Sequence, residues 1–435
     1  MRQFIQLAVP VILSYVGIMA MGMVDLLFVG RVSAAAIGGV GVGTSWFSGL
    51  MIFGIGLLAG LDYLVSHAWG AGERERGYRY FQQGLIVAAG ISLPITLMLW
   101  VLSYQLSRIG VNPEVIAHAG PYLRVVALSM LPSLVFTACR QYLQAQGSAR
   151  PLIIIMILAN GINALLNDAL IFGHFGAPAM GSVGSAWATL FSRVFMLAAL
   201  ASWLVWLDAR EDRLIARIPF ALDRVALRRV LVLGVPSALQ MSLEVGVFVV
   251  VTQFAARMRA VDLAAHQIVM NVASFTFMVP LGVSAATAVL VGQALGAGDK
   301  RRAVRRGYEG LALGMGFMAL SGLFLLRFPF FVLSKYTQDP DVMQVGTQLL
   351  FLTAVFQLAD GAQVVASGAL RGVADTVTAM VANLCGHWLV GLPVGLICAF
   401  SFNMGLRGLW IGLSTGLITV AVVLLARWMI KSRSL

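Results

Sequence analysis

Three acidic residues interrupt long apolar stretches of the sequence: Asp25, Glu244 and Asp360. An ionised carboxylate at the centre of a bilayer costs on the order of 3 kcal/mol or more. Such a group must face a wet cavity, bind a cation or hold a proton. The three acids are therefore candidates for exchanging a proton, a sodium ion or a cationic solute. The alternative is structural: buried acids can bond neighbouring helices together, and Arg124 and Arg193 also lie within apolar stretches and could neutralise some of them.

Polar residues near positions 151–173 offer partners for Asp25. Three asparagines recur there at three- and four-residue spacing, so they share one face of a helix. They are Asn160, Asn163 and Asn167. Thr189 follows on the next predicted helix, and carboxylate, amide and hydroxyl oxygens suit a hard cation. The pattern predicts either a cation site or hydrogen bonds between helices. Asp168 points about 100° away from Asn167 and is expected on a different surface.

The elements that must position these residues are membrane helices. Hydrophobic residues make up 60% of the 435 residues and charged residues only 11%, whereas a soluble domain carries about 25% charged residues. Spans of about 20 apolar residues cross a bilayer, and each should close its backbone hydrogen bonds as a helix. We predict an all-α polytopic protein with twelve transmembrane helices. They run over about 4–30, 37–66, 80–103, 117–146, 151–173, 181–207, 226–256, 262–294, 303–326, 342–369, 375–400 and 405–430.

The chain contains an internal sequence repeat, with one copy in each half. Leu7-Ala8-Val9-Pro10 recurs as Leu233-Gly234-Val235-Pro236, and a shift of 226 residues gives 20 identities over residues 7–84. We therefore predict an N-terminal lobe of six helices (1–207), a linker (208–225) and a C-terminal lobe of six helices (226–435). Duplicated membrane bundles usually work at the interface of their halves, which points to transport. Asp25 and Glu244 lie at different depths of matching helices, so we expect two unequal cation sites, one in each half.

The basic residues are distributed unevenly between the loops on the two sides of the predicted membrane helices. When alternate loops are assigned to two compartments, 21 of the 30 lysines and arginines fall on the side of the N-terminus and seven on the other. The positive-inside rule then places both termini in the cytoplasm. The net charge of +12 therefore orients the chain and contacts anionic lipid, and it does not indicate nucleic-acid binding. The three cysteines lack metal-ligand spacing.

Glycines spaced four residues apart clear a helix face for close packing, and Gly408, Gly412 and Gly416 follow that rule. No phosphate-binding loop, paired metal motif or serine-hydrolase motif is recognisable, so we expect neither a cofactor nor an enzyme. An intramembrane enzyme and a passive channel or receptor stay as alternatives.

Several segments together resemble the multidrug and toxic compound extrusion (MATE) transporters, and within them the NorM-like bacterial branch. The resemblance covers essentially the whole chain. Its segments are Met23–Arg31, Ala264–Ile268, Val291–Asp299, Asp360–Gln363 and Gly368–Gly372.

The resemblance implies two six-helix lobes forming a V around a central cavity. It also implies a monomer in the bacterial inner membrane that exports cationic or amphipathic organic compounds in antiport with Na⁺ or H⁺. Asp25, Asn163, Asn167 and Thr189 match an N-lobe cation site, and Glu244 and Asp360 match the C-lobe acids. Sodium would bind at Asp25, Asn163 and Asn167, or at Glu244 and Asp360, and the three acids would also hold the substrate.

The chain departs from this family pattern at two positions. Asn167 stands where some relatives carry an acid, and His67 replaces a common glutamine. A lipid-precursor flippase of the same superfamily is a further alternative, although a flippase for anionic lipids would be expected to have a basic cavity.

Overall fold

The computed structural model describes residues 2–109, 112–210 and 214–435, which form helices and turns with no strand among them. Twelve long elements are numbered here in chain order. They are α1 Arg2–Val29, α2 Ala34–Gly70, α3 Arg74–Gln105, α4 in two parts (Pro113–Ala127 and Met130–Ala145), α5 Pro151–Phe172, α6 Ser182–Arg210, α7 Arg224–Ala255, α8 Ala260–Gly296, α9 Lys300–Arg327, α10 Pro340–Arg371, α11 Thr376–Ser401 and α12 Leu406–Ser434. Short helices at Leu214–Arg217 and Pro329–Leu333 connect them.

The prediction of twelve membrane helices is confirmed, with one correction. Within the described residues, eleven helices are long and apolar enough to cross a membrane, and the two parts of α4 make a twelfth when taken as one span. The sequence predicted one continuous helix over 117–146, but α4 bends by 46° at Leu128 and Ser129. Pro132 lies four residues after Leu128 and has no amide hydrogen for the Leu128 carbonyl, which explains a break at this point.

Large apolar side chains cover much of the molecular surface. Leu27, Leu320 and Phe351 are 70%, 70% and 65% exposed. In water such a surface would promote aggregation, whereas lipid chains solvate it. The chain is therefore a multi-pass membrane protein.

The helices group into two compact units. The N-terminal unit comprises residues 13–69 and 73–234, and the C-terminal unit comprises the residues up to 12, residues 70–72 and residues 235–435. In α1 and α7 the boundaries fall within two residues of Pro10 and Pro236. The predicted lobe limits of 1–207 and 226–435 stay a prediction.

The predicted linker, 208–225, is anchored by two glutamines of α3, and its residues 211–213 lie outside the described residues. Nε2 of Gln82 donates to the carbonyl of Pro219 at 3.3 Å, and Nε2 of Gln83 donates to that of Ala221 at 2.9 Å. The backbone N–H of Asp223 donates in return to Oε1 of Gln83. These bonds fix the chain just before α7 begins.

Glycines of α12 pack against α11, as their spacing predicted. A Cβ atom at Gly408 would overlap the backbone of Cys398 and Ala399, and one at Gly412 would overlap Gly395. The facing helix α11 contains two π-helical stretches, Leu384–Gly391 and Ile397–Ser401. A π-turn inserts one residue per turn, so Gly386 and Gly391, five residues apart, both face α12.

Candidate cation-binding sites

The carboxylate of Asp25, on α1 in the N-terminal unit, accepts three side-chain hydrogen bonds. Nδ2 of Asn163 donates to Oδ1 at 3.0 Å, and Nδ2 of Asn167 donates to the same oxygen at 2.6 Å. Oγ1 of Thr189 donates to Oδ2 at 2.7 Å. All four side chains are buried, and Asp25 is only 5% exposed. The structure thus brings together the four residues that were predicted for this site.

Two neighbouring helices supply the partners of Asp25. Asn163 and Asn167 are one turn apart on α5, and Nδ2 of Asn167 also donates to Oδ1 of Asn163 at 3.1 Å. Thr189 comes from α6, which packs closely on α5 because Gly184 has no side chain: a Cβ there would overlap the Leu170 carbonyl. Close approach of two helices through a small residue is typical of membrane proteins.

The cluster has the donor set of a hard-cation site. The four side chains carry two carboxylate oxygens, two amide oxygens and one hydroxyl oxygen, and such ligands suit a hard cation. In the structure the two amides direct their nitrogens to Asp25, so their oxygens would face a cation only after the amides turn. Oδ1 of Asn167 is buried and has no hydrogen-bond partner in the described part of the chain. An unpaired buried acceptor is costly, and a bound cation would satisfy it. No group of three or more His, Cys, Asp or Glu side chains that could hold a metal ion occurs in the described ranges. The cluster offers one carboxylate, that of Asp25, beside its neutral amide and hydroxyl groups.

A guanidinium and a phenol lie in the electrostatic environment of Asp25. Arg193, one turn after Thr189 on α6, lies within electrostatic range of the Asp25 carboxylate and near the neutral phenol of Tyr122. Its guanidinium stacks over the Phe47 ring at 4.3 Å and donates to Ser129 Oγ at 2.6 Å, at the bend of α4. The Arg193 guanidinium is therefore anchored by Phe47 and Ser129, and no direct ion pair with Asp25 occurs among the described residues.

Other polar residues of these helices lie outside the cluster. Oδ2 of Asp168 is 2.9 Å from Nδ1 of His174 in the following turn. Nδ2 of Asn160 donates to the carbonyls of Gly17 and Met156. Nη1 of Arg124 donates to Tyr104 Oη. The predicted divergence of Asp168 from Asn167 is thus present in the structure, and Asn160 joins helices together.

The C-terminal unit contains a second pair of acids. Nε2 of Gln363 donates to Oε1 of Glu244 at 2.6 Å, linking α10 to α7. Asp360 lies one turn before Gln363 on α10, is 5% exposed and is close enough to Glu244 for the two charges to interact. Oε1 of Gln363 is buried without a partner among the described residues. Two carboxylates and an unsatisfied amide oxygen again form an oxygen-rich site.

Aromatic rings surround this second site. Trp388 of α11 donates to the carbonyl of Leu243, the neighbour of Glu244, at 3.0 Å. Phe248, one turn after Glu244, packs edge-on against Phe356 of α10. The sequence offers four side chains in this unit that could line a cavity for flat solutes: Met241, Phe248, Phe275 and Phe277. Of the four side chains, that of Phe275 is the most exposed, at 51%.

Sequence reasoning did not assign Gln363 or Tyr122 to a site. Gln363 lies three residues after Asp360, which places both on one helix face, and that spacing could have identified it. The hydroxyl of Tyr122 is 3.2 Å from Thr44 Oγ1. Nothing in the sequence around Tyr122 separates it from other tyrosines in apolar helices.

Comparison with known proteins identifies the family. The MatE family model matches residues 10–168 and again residues 236–397. The chain is 35% identical to a probable multidrug resistance protein NorM of Mesorhizobium japonicum, over 99% of this chain and 94% of that protein. It has the same identity and coverage with the multidrug resistance protein NorM of Burkholderia vietnamiensis. The chain belongs to the MatE family. The predicted resemblance is confirmed, and MatE proteins are transporters and not enzymes.

The MatE fold is also evident in the structure. The eukaryotic MATE transporter AtDTX14 superposes with a TM-score of 0.89 over 100% of this chain and 97% of that one, at 20% sequence identity. The two MatE matches begin at Pro10 and Pro236, the same 226-residue shift that relates the repeated segments. Of the predicted site residues, Asp25, Asn163 and Asn167 fall in the first match and Glu244 and Asp360 in the second. Thr189 falls between the matches.

Proposed function

We propose that this MatE protein is a secondary active multidrug exporter that moves cationic or amphipathic organic compounds outward in exchange for Na⁺ or H⁺. The observation that carries the proposal is Asp25, a buried carboxylate within a membrane helix bundle that accepts hydrogen bonds from two amides and a hydroxyl. The NorM names of the relatives at 35% identity support multidrug efflux. Glu244 and Asp360 would form the second anionic site, in the C-terminal unit.

The hydrogen bonds of Asp25 explain how one cation can displace another. In the structure its carboxylate is stabilised by three donors, as suits an ionised acid. A sodium ion would require Asn163 and Asn167 to turn their amide oxygens toward the carboxylate. A proton would convert one carboxylate oxygen to a donor, and those same amide oxygens could accept it. Either ion therefore reorganises the contact between α1, α5 and α6 and removes the negative charge that a cationic substrate needs.

Coupling then follows from competition for shared charge. With the cavity open outward, Na⁺ or H⁺ neutralises the acids and the drug cation leaves. The two halves rock inward, the ion is released, and a new drug cation takes its place. Alternating access of this kind is expected of transporters with internal repeats. The prevalence of basic residues on the side of both termini supports a cytoplasmic location for them, in the inner membrane of a bacterium. We further propose that the protein works as a monomer.

The test is efflux of ethidium from vesicles under a sodium gradient or a pH gradient, each imposed alone. Efflux driven by sodium at equal pH supports a sodium site, and efflux driven only by the pH gradient makes the acids proton carriers. Combining Asp25→Asn, Glu244→Gln and Asp360→Asn should abolish driven efflux. Asp168→Asn is the matched control, because that acid contacts His174 and lies outside both sites. Unchanged efflux in the triple variant would refute the proposal.

A further inference from the structure

A basic cavity of about 570 Å³ lies in the N-terminal unit, between the ends of α2, α3 and the first turns of α7. Three arginines, two tyrosines and a histidine supply its polar lining. They are Arg76, Arg228, Arg229, Tyr63, Tyr80 and His67. The cavity is on the side that carries most of the basic loops. It shares none of its lining residues with the Asp25 cluster.

Tyr80 is the centre of the polar lining. Its hydroxyl oxygen accepts a hydrogen bond from Nη1 of Arg229 at 2.9 Å and one from Nε of Arg76 at 3.3 Å. An oxygen that accepts two bonds still carries its own hydrogen, which can donate. Tyr80 is 4% exposed. Its hydroxyl positions the Arg76 and Arg229 guanidinium groups at the wall of the cavity, and its own O–H is a third donor beside them.

The acids near the cavity leave it positively charged. Glu73 pairs with Arg76 at 2.6 Å. Asp223 receives the backbone N–H groups of Val225 and Ala226 and so caps the start of α7. Arg76, Arg228 and Arg229 outnumber these two acids by one, so the cavity keeps a net positive charge of about one. A cationic drug would be repelled from such a site, and an anion would be attracted.

Close packing of α2 and α7 fixes the inner end of the cavity. A Cβ at Gly234 would overlap the carbonyl of Leu57, and one at Gly60 would come within 3.0 Å of the Val230 carbonyl. The lining residues of α2 begin directly after this contact, at Tyr63. Val225 and Val232 of α7 also line the cavity and are 67% and 58% exposed. A polar floor is therefore continuous with an exposed apolar surface that lipid chains can cover.

We propose that this cavity binds the phosphate headgroup of an anionic phospholipid. Arg228, Arg229 and Arg76 hold the phosphate through charge-assisted hydrogen bonds, and the Tyr80 hydroxyl and His67 imidazole add donors. The acyl chains lie along Val225 and Val232. Basic pockets between transmembrane helices are suited to such headgroups. His67, which replaces a glutamine in the family pattern, lines this site and would contact the phosphate there.

The experiment is a lipid titration of the purified full-length protein in detergent, followed by native mass spectrometry. Phosphatidylglycerol and phosphatidylcholine are compared as probes, because both carry a phosphate but only the first has a net negative charge. The wild-type protein should bind phosphatidylglycerol more tightly. Arg228→Gln combined with Arg229→Gln should weaken that binding about tenfold, since each basic side chain near an anionic lipid contributes a factor of several.

The matched control combines Arg217→Gln with Arg224→Gln, which removes the same charge from exposed residues outside the cavity lining. This variant should keep wild-type binding, as should Arg228→Lys with Arg229→Lys. If both glutamine variants lost phosphatidylglycerol binding equally, the effect would be one of general surface charge, and the proposed site would be refuted. Inorganic phosphate is the third probe: if it displaces phosphatidylglycerol at comparable concentration, the cavity binds a free anion and the lipid assignment fails. Thermal unfolding of each variant verifies that it is folded.

Discussion

Asn167 donates a 2.6 Å hydrogen bond to Asp25 while its own carbonyl oxygen has no hydrogen-bond partner among the described residues. One side chain thus stabilises the acid in the present arrangement and keeps an oxygen available for a cation. Asn163 lacks this second feature, because its Oδ1 accepts from Asn167. When a cation enters, we therefore expect the Asn167 amide to rotate, so that its oxygen replaces its nitrogen beside Asp25.

Replacing Asn167 should weaken sodium coupling at the Asp25 site. We expect Asn167→Ala to raise the sodium concentration for half-maximal ethidium efflux by about tenfold or more, since a hydrogen bond to a charged group is worth about 1.5–3 kcal/mol. Asn160→Ala is the control, because Asn160 is on the same helix and bonds only backbone carbonyls in the structure. The measurement is initial efflux rate against sodium concentration at fixed pH. Equal effects of the two substitutions would contradict a role of Asn167 in ion binding.

Gln363 should be needed for coupling at the second site. Gln363→Leu keeps the volume of the side chain but removes the amide that bonds Glu244 at 2.6 Å, and we expect severalfold slower driven efflux. Gln357→Leu is the matched control: Gln357 is equally buried on α10 and bonds Thr276 at 2.7 Å. Gln357→Leu loses a bond to a neutral hydroxyl, worth about 1 kcal/mol, and Gln363→Leu loses a bond to a carboxylate, worth about 1.5–3 kcal/mol. Only the first should change the dependence of efflux on the ion gradient.

Asp375 should stabilise the C-terminal unit in a pH-dependent way. Burial raises the pKa of Asp375, but bonds from Thr378 and from Arg427 outweigh it and hold the pKa below its ordinary value. Because the folded-state pKa is the lower one, the charged form contributes its full stability above the unfolded pKa of about 3.9. That contribution is lost as the pH falls through the folded-state pKa.

Two substitutions separate the roles of Asp375. Asp375→Ala removes the helix cap at the start of α11 and the pair with Arg427, and should cost about 1–2 kcal/mol at pH 7. Asp375→Asn keeps a capping oxygen and should cost less. Thermal unfolding in detergent should show the difference between wild type and Asp375→Asn shrinking below about pH 4. A difference that stays constant on acidification would mean that the charge contributes nothing.

The sequence predicted the elements well because their cause is local. Apolar length alone determines a membrane helix, and the spacing of Asn163 and Asn167 alone puts them on one face. A proline inside an apolar helix permits a bend, but the sequence has several of them, and the helices continue through Pro10, Pro236 and Pro280. Sequence alone does not show that α4, which contains Pro132, is the helix that breaks. Gln363 was missed because its partner, Glu244, is 119 residues away. The basic cavity depends on residues of α7 packing beside α2 and α3, a proximity that no short-range pattern encodes.

Gly412 should be among the positions least tolerant of a side chain. A Cβ there would overlap the Gly395 backbone of α11, so Gly412→Val must separate two helices that pack along their backbones. Overpacking of this kind costs about 1–3 kcal/mol. The backbone hydrogen bonds of α11 follow a π-helical pattern here, which places its glycines against α12. Gly316→Val, on α9, is the control because nothing lies within 4 Å of a Cβ at that position. Thermal unfolding of both variants in detergent should show a marked loss for the first and little change for the second. A similar loss in both would mean that valine is poorly tolerated within these helices for a reason other than packing.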